Sequence, residues 1–200
     1  DYDQAYGRTG TITDDTQMTL FTTEGLILSQ VRQEYRGDEG MVLSVYNALL
    51  RWLATQEAGM QGELVRKHGT CAVVDGVLAG CRELYSRRAP GNSCLSSLGS
   101  GIMGHTDRPV NDSKGCGGVM RMAPVGLAFD DAQKAFDMGC RCAAVTHGHP
   151  TGFLAAGFLA ALISRIVAGE SLVQAIETVR GILKGENESR ETLAAVDRAV

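Results

Sequence analysis

Two neighbouring carboxylates stand where a polar segment enters the first helical pattern. Asp14 and Asp15 follow Thr13, and apolar residues then recur near the 3.6-residue period from Met18 to Val31. Acidic side chains at the start of a helix can cap its free N–H groups and are stabilised by the helix dipole. The same hard oxygens could instead form half of a cage for Mg²⁺ or Mn²⁺. The residues alone leave both interpretations open.

A glycine-rich segment is the second candidate for chemistry. It extends from Asn111 to Arg121 and has glycine on both sides of Cys116. Because glycine has no side chain, such a loop lets backbone N–H groups approach a diphosphate closely. The segment matches neither the Walker pattern nor the dinucleotide fingerprint, so a plain turn is the alternative.

Two histidines form the third candidate. His147 and His149 lie between two helical patterns, and Pro150 suits the first turn of the second helix. An imidazole at this position could hydrogen-bond the sugar or phosphate of a ligand, or it could bond carbonyl groups exposed at a helix end. The H-x-H pair, like the C-x-C pair of Cys140 and Cys142, lacks further ligands at the spacing of a zinc site. We therefore do not expect zinc.

Composition excludes several classes of protein. An apolar content of 44% with 21% charged residues is enough for a globular domain with a core. A net charge of -4 without a basic run gives no attraction to nucleic acid. The cysteines fall mostly within apolar helical stretches, and we interpret them as reduced, which favours a cytoplasmic protein. The longest apolar run, Phe153–Ile163, is shorter than the roughly 20 residues that span a bilayer, so we expect no membrane partner.

The helices predicted from the apolar periodicity must position the three candidate segments. Stretches that alternate with period two are scarce, and Ser171 with Gln174 forms a capping box. The segments Asp1–Ile12 and Ser86–Asn111 are predicted to be loops. We predict an all-α fold, a compact orthogonal helical bundle, in a single domain over residues 1–200 that is incomplete at both ends. Helices are predicted over Thr16–Val31, Met41–Thr55, Val74–Tyr85 and Asp130–Val145, from Pro150, over Leu172–Leu183, and from a cap at Ser189.

The order and spacing of three segments resemble the ADP-ribosylglycohydrolase family, which includes the ADP-ribosyl-acceptor hydrolases and the dinitrogenase reductase-activating glycohydrolases. The segments are Thr13–Met18, Lys114–Gly126 and Thr146–Pro150. The resemblance implies an all-helical fold with a centre of two Mg²⁺ (or Mn²⁺) ions in a cleft that binds ADP-ribose. It implies metal ligation by Thr13, Asp14 and Asp15 and catalysis by Asp14 and Asp15. The implied substrate-binding residues are Ser113, Gly115, Cys116, Gly117, Gly118 and His147.

The resemblance also implies an activity and its partners. We expect a metal-dependent hydrolase that removes ADP-ribose from modified protein side chains, most readily arginine, so that its partners are ADP-ribose and an ADP-ribosylated protein. The family's upstream Gly-Asp-x-x-Gly segment and its later D-x-D-[ST] motif are absent from this sequence. We therefore expect only part of the metal site here, with a second chain as one possible source of the other ligands. The alternative is a non-catalytic ADP-ribose-binding or structural member of the same fold.

Overall fold

Helices make up most of the protein. The computed structural model describes residues 4–31, 37–57, 59–69 and 76–200. Within these ranges there are nine α-helices and one two-stranded hairpin, which confirms the predicted all-α fold. The hairpin pairs β1 (Gln4–Ala5) with β2 (Arg8–Thr9). The helices are α1 (Asp14–Val31), α2 (Gly37–Gln56), α3 (Met60–His68), α4 (Asn92–Ser100), α5 (Ala123–Leu127), α6 (Ala132–Ala144), α7 (Pro150–Val167), α8 (Leu172–Lys184) and α9 (Arg190–Ala199).

Helices α1 and α2 form the centre of the larger core. Phe21 of α1 and Trp52 of α2 are fully buried, and each such side chain contributes roughly 1.5–3 kcal/mol of transfer free energy. The two helices approach closely at Gly25, where a β-carbon would lie only 2.6 Å from Cα of Val45. A larger residue at Gly25 would therefore push α1 away from α2.

The first turn of α1 is anchored by a buried amide. Gln17 accepts hydrogen bonds at its Oε1 atom from Nε1 of Trp52 (3.2 Å) and from Nε2 of Gln56 (3.1 Å). Its own Nε2 donates to the carbonyl of Ser86 at 3.0 Å. Because buried amides are costly to leave unpaired, this network fixes the start of α1, where the two carboxylates lie.

Helices α6 and α7 pack through small residues. A β-carbon on Gly139 would lie 2.9 Å from Cα of Gly157, and one on Gly157 would collide with Sγ of Cys140. Helix α7 is also long and apolar enough to cross a membrane by length and composition alone. That is weak support for a membrane span, because a helix buried in a core has the same composition. Its buried face, including Leu154 and Ala160, belongs to the core clusters.

Several predicted boundaries are confirmed. The capping box of α8 has both of its hydrogen-bonded halves, between Ser171 and Gln174. Pro150 begins α7 as predicted, and α2 covers the predicted Met41–Thr55 helix. Ser189 occupies the N-cap position of α9, but its side chain makes no capping hydrogen bond.

The predicted helix Val74–Tyr85 is wrong in its described part. Residues 74 and 75 lie outside the described ranges, and two short 3₁₀ turns follow at Leu78–Gly80 and Arg82–Leu84. A buried ion pair lies beside these turns: Nη2 of Arg51 lies 2.7 Å from Oε2 of Glu24. Oε1 of Glu24 accepts a hydrogen bond from the N–H of Leu78 (2.8 Å), so this backbone group pairs with a carboxylate instead of a helical carbonyl.

Two predicted loops contain regular structure. The segment Ser86–Asn111 includes α4, which buries Cys94, Ser97 and Leu98 on one face. The segment before Ile12 contains the hairpin, whose turn residues Tyr6 and Gly7 both have positive φ angles, of 52° and 76°. This combination is typical of a type I′ turn.

Candidate active site

The two carboxylates at the start of α1 have different environments. Asp14 is 6% exposed, whereas Asp15 is exposed. Oδ2 of Asp14 accepts a hydrogen bond of 3.3 Å from the N–H of Gly91, and Oδ2 of Asp15 accepts one of 3.0 Å from Oγ1 of Thr13. Burial raises the pKa of Asp14 above its ordinary value, the Gly91 N–H opposes this shift, and the charge of Asp15 adds to it. Asp14 is thus a partly desolvated carboxylate that a nearby cation would stabilise.

Helix α4 joins these carboxylates to the glycine-rich segment. Gly91, which immediately precedes the helix, donates to Asp14, and Oγ of Ser93 lies 2.8 Å from Oγ of Ser113. Cys94 is fully buried, and its Sγ lies 2.8 Å from the point where a β-carbon on Gly117 would stand. One end of α4 therefore contacts both candidate segments.

His147 lies against the glycine-rich segment. A β-carbon on Gly115 would stand 3.3 Å from Nε2 of His147, and one on Gly117 would stand 3.1 Å from the same atom. On Gly118 it would contact Cβ of His147 at 3.6 Å. A side chain at Gly115 or Gly117 would crowd this imidazole edge, whereas the contact at Gly118 is an ordinary one. We call the surface formed by residues 115–118 and His147 the glycine cradle.

A single amide connects the cradle to its neighbours. Nδ2 of Asn111 donates to Oγ of Ser97 (2.8 Å) and to the carbonyl of Thr146 (2.9 Å). Oδ1 of Asn111 accepts from the N–H groups of Ser113 and Gly148, both at 3.0 Å. All four hydrogen-bonding positions of the amide are used, so Asn111 fixes the spacing between α4, the glycine-rich segment and the turn at His147.

A buried guanidinium lies beneath the cradle. Arg121 is fully buried; its Nε donates to the carbonyl of Gly117 at 3.0 Å, and its Nη2 donates to the carbonyl of Cys142 and to Oγ1 of Thr146. Its Nη1 has no hydrogen-bond partner within the described part of the chain. Burial lowers the pKa of Arg121, as expected for a cation with only neutral partners.

The chain was compared with known proteins. A family model described as ADP-ribosylglycohydrolase matches residues 1–200. The chain belongs to the ADP-ribosylglycohydrolase family. A search of curated proteins and a search of solved structures each gave no match. Family membership supports an ADP-ribosyl hydrolase activity in general terms.

The two histidines have distinct positions in this member of the ADP-ribosylglycohydrolase family. His149 is the N-cap of α7, and its Nδ1 accepts a hydrogen bond of 3.0 Å from the N–H of Thr151. His147 is 2% exposed, and no partner for its Nε2 occurs in the part of the chain that the structure describes. His149 therefore accepts from an N–H at a helix start, which differs from the predicted bond to carbonyl groups at a helix end. Nε2 of His147 faces the glycine cradle without a partner among the described residues.

The predicted metal ligands offer the right chemistry but not a complete set. Thr13, Asp14 and Asp15 supply hard oxygen atoms, which suit Mg²⁺ or Mn²⁺. Across the described ranges, no three His, Cys, Asp or Glu side chains are placed together to hold a metal ion. The chemistry of these oxygen donors suits a divalent cation, and metal ligation by Thr13, Asp14 and Asp15 stays a prediction.

Soft-metal sites have little support. The five described cysteines, Cys81, Cys94, Cys116, Cys140 and Cys142, are free, and Cys71 lies outside the described residues. Burial raises the pKa of Cys142 to about 12 and also raises that of Cys140. In the metal-free protein both thiols of the C-x-C pair are therefore protonated at neutral pH.

Three cavities lie away from the glycine cradle. One of about 580 Å³ borders α6 and α7 and is lined by Phe136 and Phe153, one of about 450 Å³ lies along α1, and one of about 370 Å³ lies beside α2 and α3. None of the three is lined by Asp14, Asp15 or His147.

Several structural partners were missed by sequence reasoning. Ser93 and Cys94 lie in the segment predicted to be a loop, and Arg121 and Thr146 were noted only as members of motifs. The spacing of Cys94, Ser97 and Leu98 was an available helical signal, since residues at i, i+3 and i+4 share a face.

Ser113 and Cys116 stay predictions as substrate-binding residues. The Ser113 hydroxyl forms hydrogen bonds with Ser93 and with the N–H of Gly115, and Cys116 is exposed.

Proposed function

We propose that this protein hydrolyses the bond between C1 of the distal ribose of ADP-ribose and an arginine side chain of a modified protein, in a reaction that requires a divalent cation. The observation that supports this proposal best is Nε2 of His147 in the glycine cradle, which has no hydrogen-bond partner among the described residues although the residue is only 2% exposed. Nε2 is not one of the fully buried unpaired polar atoms of the described residues, so it stays accessible at the cradle, where a ligand can form a hydrogen bond with it in place of water.

The glycine cradle would bind the diphosphate and its adjoining ribose. Gly115, Gly117 and Gly118, with Cys116 between them, allow close approach of backbone N–H groups to phosphate oxygens. Burial, with the charge of Arg121 as a second cause, lowers the pKa of His147 to about 4, so the imidazole is neutral at pH 7. It would then contribute a hydrogen bond without adding charge.

Thr13, Asp14 and Asp15 would hold one side of a pair of Mg²⁺ (or Mn²⁺) ions. When bound, these ions would orient the ribose hydroxyls and lower the pKa of a bound water. Asp14, which the N–H of Gly91 holds in position, would be the fixed ligand. Asp15 is exposed, and we assign it the role of accepting a proton from the attacking water as the glycosidic bond stretches toward an oxocarbenium-like state.

Carboxylate-to-amide substitutions test these roles. In the full-length protein with Mg²⁺, we expect Asp14→Asn and Asp15→Asn each to abolish release of ADP-ribose from an ADP-ribosyl-arginine protein, because the amide removes the charge and keeps the shape. Asp107→Asn is the matched control, since Asp107 is exposed and lies outside the site. Turnover by both site variants at the wild-type rate would refute the assignment.

The preference for an arginine linkage is tested with two substrates. We expect faster release from an arginine-linked ADP-ribosyl protein than from a serine-linked one, each measured as free ADP-ribose at equal substrate concentration. Equal or faster release from serine would contradict the arginine preference and leave the general hydrolase activity in place.

One observation favours a second candidate function, a non-catalytic ADP-ribose-binding protein. Among the described residues no three His, Cys, Asp or Glu side chains could hold a metal ion together, whereas all the residues of the glycine cradle are described and lie in contact. Calorimetry with ADP-ribose separates the two functions: affinity that rises with Mg²⁺ supports the hydrolase, and affinity indifferent to Mg²⁺ together with absent turnover supports the binding protein.

A further inference from the structure

The hydroxyl of Thr146 lies between a cation and an imidazole. Nη2 of Arg121 is 2.8 Å from Oγ1 of Thr146, and this Oγ1 is 2.9 Å from Nδ1 of His147. All three side chains are buried, with exposed fractions of 0% for Arg121, 0% for Thr146 and 2% for His147. Water therefore does not replace these partners.

The direction of this chain of hydrogen bonds follows from its first member. A guanidinium has donors only, so Oγ1 of Thr146 must accept from Arg121. The hydroxyl proton then needs an acceptor of its own, for which Nδ1 of His147 and Sγ of Cys94 compete, because Cys94 also interacts with Thr146. An unprotonated imidazole nitrogen is a far stronger acceptor than a thiol sulfur, and the order guanidinium, hydroxyl, imidazole aligns successive dipoles.

We infer that Arg121, acting through Thr146, holds His147 in the tautomer with its proton on Nε2, so that the imidazole is a hydrogen-bond donor to the ligand in the glycine cradle. Arg121 and Thr146 are thus positioning residues. The identity of the ligand rests on the proposed function, in which the acceptor is a phosphate or ribose oxygen of ADP-ribose.

The geometry at Nε2 agrees with this role. Its surroundings are the faces of Gly115 and Gly117, where β-carbons would stand at 3.3 and 3.1 Å. Within the described ranges no acceptor in the protein takes the Nε2 proton. The imidazole is also neutral at neutral pH, since burial lowers its pKa. A neutral imidazole with Nδ1 occupied as an acceptor has Nε2–H as its donor.

Nuclear magnetic resonance tests the tautomer without any substrate. In ligand-free protein labelled with ¹⁵N-histidine, long-range ¹H–¹⁵N spectra at pH 7 distinguish the two neutral tautomers, and His147→Gln identifies the His147 signals by their loss. We expect protonated Nε2 in the wild type, a shift toward protonated Nδ1 in Thr146→Val, and recovery in Thr146→Ser. Protonated Nδ1 in the wild type, or an unchanged tautomer in Thr146→Val, would overturn the inference.

A second pair of variants covers the case in which Thr146→Val does not fold. The side-chain nitrogen of glutamine can occupy the place of Nε2, whereas that of asparagine lies near Nδ1. We expect His147→Asn to weaken ADP-ribose binding about tenfold relative to His147→Gln, the loss of one hydrogen bond to a charged group. Equal affinities of the two variants would overturn the donor role.

The tautomer measurement and the measurement of ADP-ribose binding or release test this inference and the proposed function separately. If the wild type shows the Nε2–H tautomer and its dependence on Thr146 but does not bind ADP-ribose, the proposed function fails and the tautomer assignment stands. If the wild type releases ADP-ribose while Thr146→Val leaves the tautomer unchanged, the inference fails and the proposed function stands.

Discussion

Nζ of Lys114 lies 2.6 Å from Oε2 of Glu191, so the residue before the first cradle glycine is tied to α9. The same carboxylate oxygen accepts a hydrogen bond of 3.0 Å from Oγ1 of Thr151 at the start of α7. Lys114 and Glu191 are both about half exposed, and surface pairs of this kind contribute little to stability. The pair of Lys114 and Glu191 places an acidic side chain at the edge of a surface that we expect to bind a diphosphate.

Removing the negative charge of Glu191 should strengthen ADP-ribose binding. We expect Glu191→Gln to lower the Kd roughly twofold to fivefold at low salt, because the substitution releases the Lys114 ammonium and removes a negative charge near an anionic ligand. Titration calorimetry at low and high salt checks this, and the gain should fade as salt screens the charges. Asp197→Asn is the matched control, since Asp197 also lies in α9 in an exposed ion pair, with Arg180. At low salt the Kd of the wild type should be larger than that of Glu191→Gln. Equal values would contradict the prediction.

The Asn111 amide should be intolerant of a very small change. Asn111→Asp keeps the shape but removes the donors to Ser97 and to the carbonyl of Thr146, and we expect a loss of about 2–4 kcal/mol in the free energy of unfolding. Urea unfolding measures this value. Asn92→Asp is the control: Asn92 is exposed in the first turn of α4, where a negative charge is favourable, so the change should be neutral or slightly stabilising. Similar losses in both variants would argue against a special role for Asn111.

A methyl group at Gly117 should close the cradle. Its β-carbon would stand 2.8 Å from Sγ of Cys94 and 2.9 Å from Cε1 of His147, and both neighbours are held in the core. We expect Gly117→Ala to weaken ADP-ribose binding at least tenfold, measured by calorimetry. Gly181→Ala in α8 is the control, because nothing lies within 4 Å of its β-carbon position and alanine favours a helix. Wild-type affinity in Gly117→Ala would show that the cradle does not contact the ligand.

The pH dependence of stability should reveal the neutral state of His147. Its pKa of about 4 in the folded protein lies below the ordinary value of 6.5. Between these values the unfolded chain binds a proton that the folded protein does not, so the free energy of unfolding rises with pH across this window and the contribution is fully present above pH 6.5. The slope from this group is at most about 1.4 kcal/mol per pH unit.

His147→Gln isolates that contribution, because glutamine does not titrate. The difference in unfolding free energy between the wild type and this variant should rise from pH 4 to 6.5 and be flat above. Urea unfolding at a series of pH values gives the difference directly. A difference that does not vary with pH would show that His147 titrates in the folded protein as it does in the unfolded chain.

The sequence predicts well those features that depend on local chemistry. The capping box at Ser171, the helix start at Pro150 and the apolar stripe of α2 are all encoded in neighbouring residues. The all-α fold follows from such features. The three candidate segments could also be picked out, because each contains residue types with a recognisable chemistry.

Features that depend on tertiary contacts were not predictable in this way. Helix α4 contains several serines and a glycine, which are weak helix formers, and it is stabilised by the burial of Cys94 and Leu98. The segment after Gly76 forms 3₁₀ turns because the carboxylate of Glu24, distant in sequence, takes the N–H of Leu78. The distinction between His147 and His149 likewise needed the fold, since both are histidines next to a helix start.

The many internal bonds of the glycine cradle affect how a ligand would bind. The guanidinium of Arg121 supports the carbonyl of Gly117 from below, and Asn111 holds the segment from its side. A surface that is already ordered loses little conformational entropy on association, so more of the interaction free energy appears as affinity. ADP-ribose, the ligand of the proposed function, should therefore bind with little rearrangement of these residues.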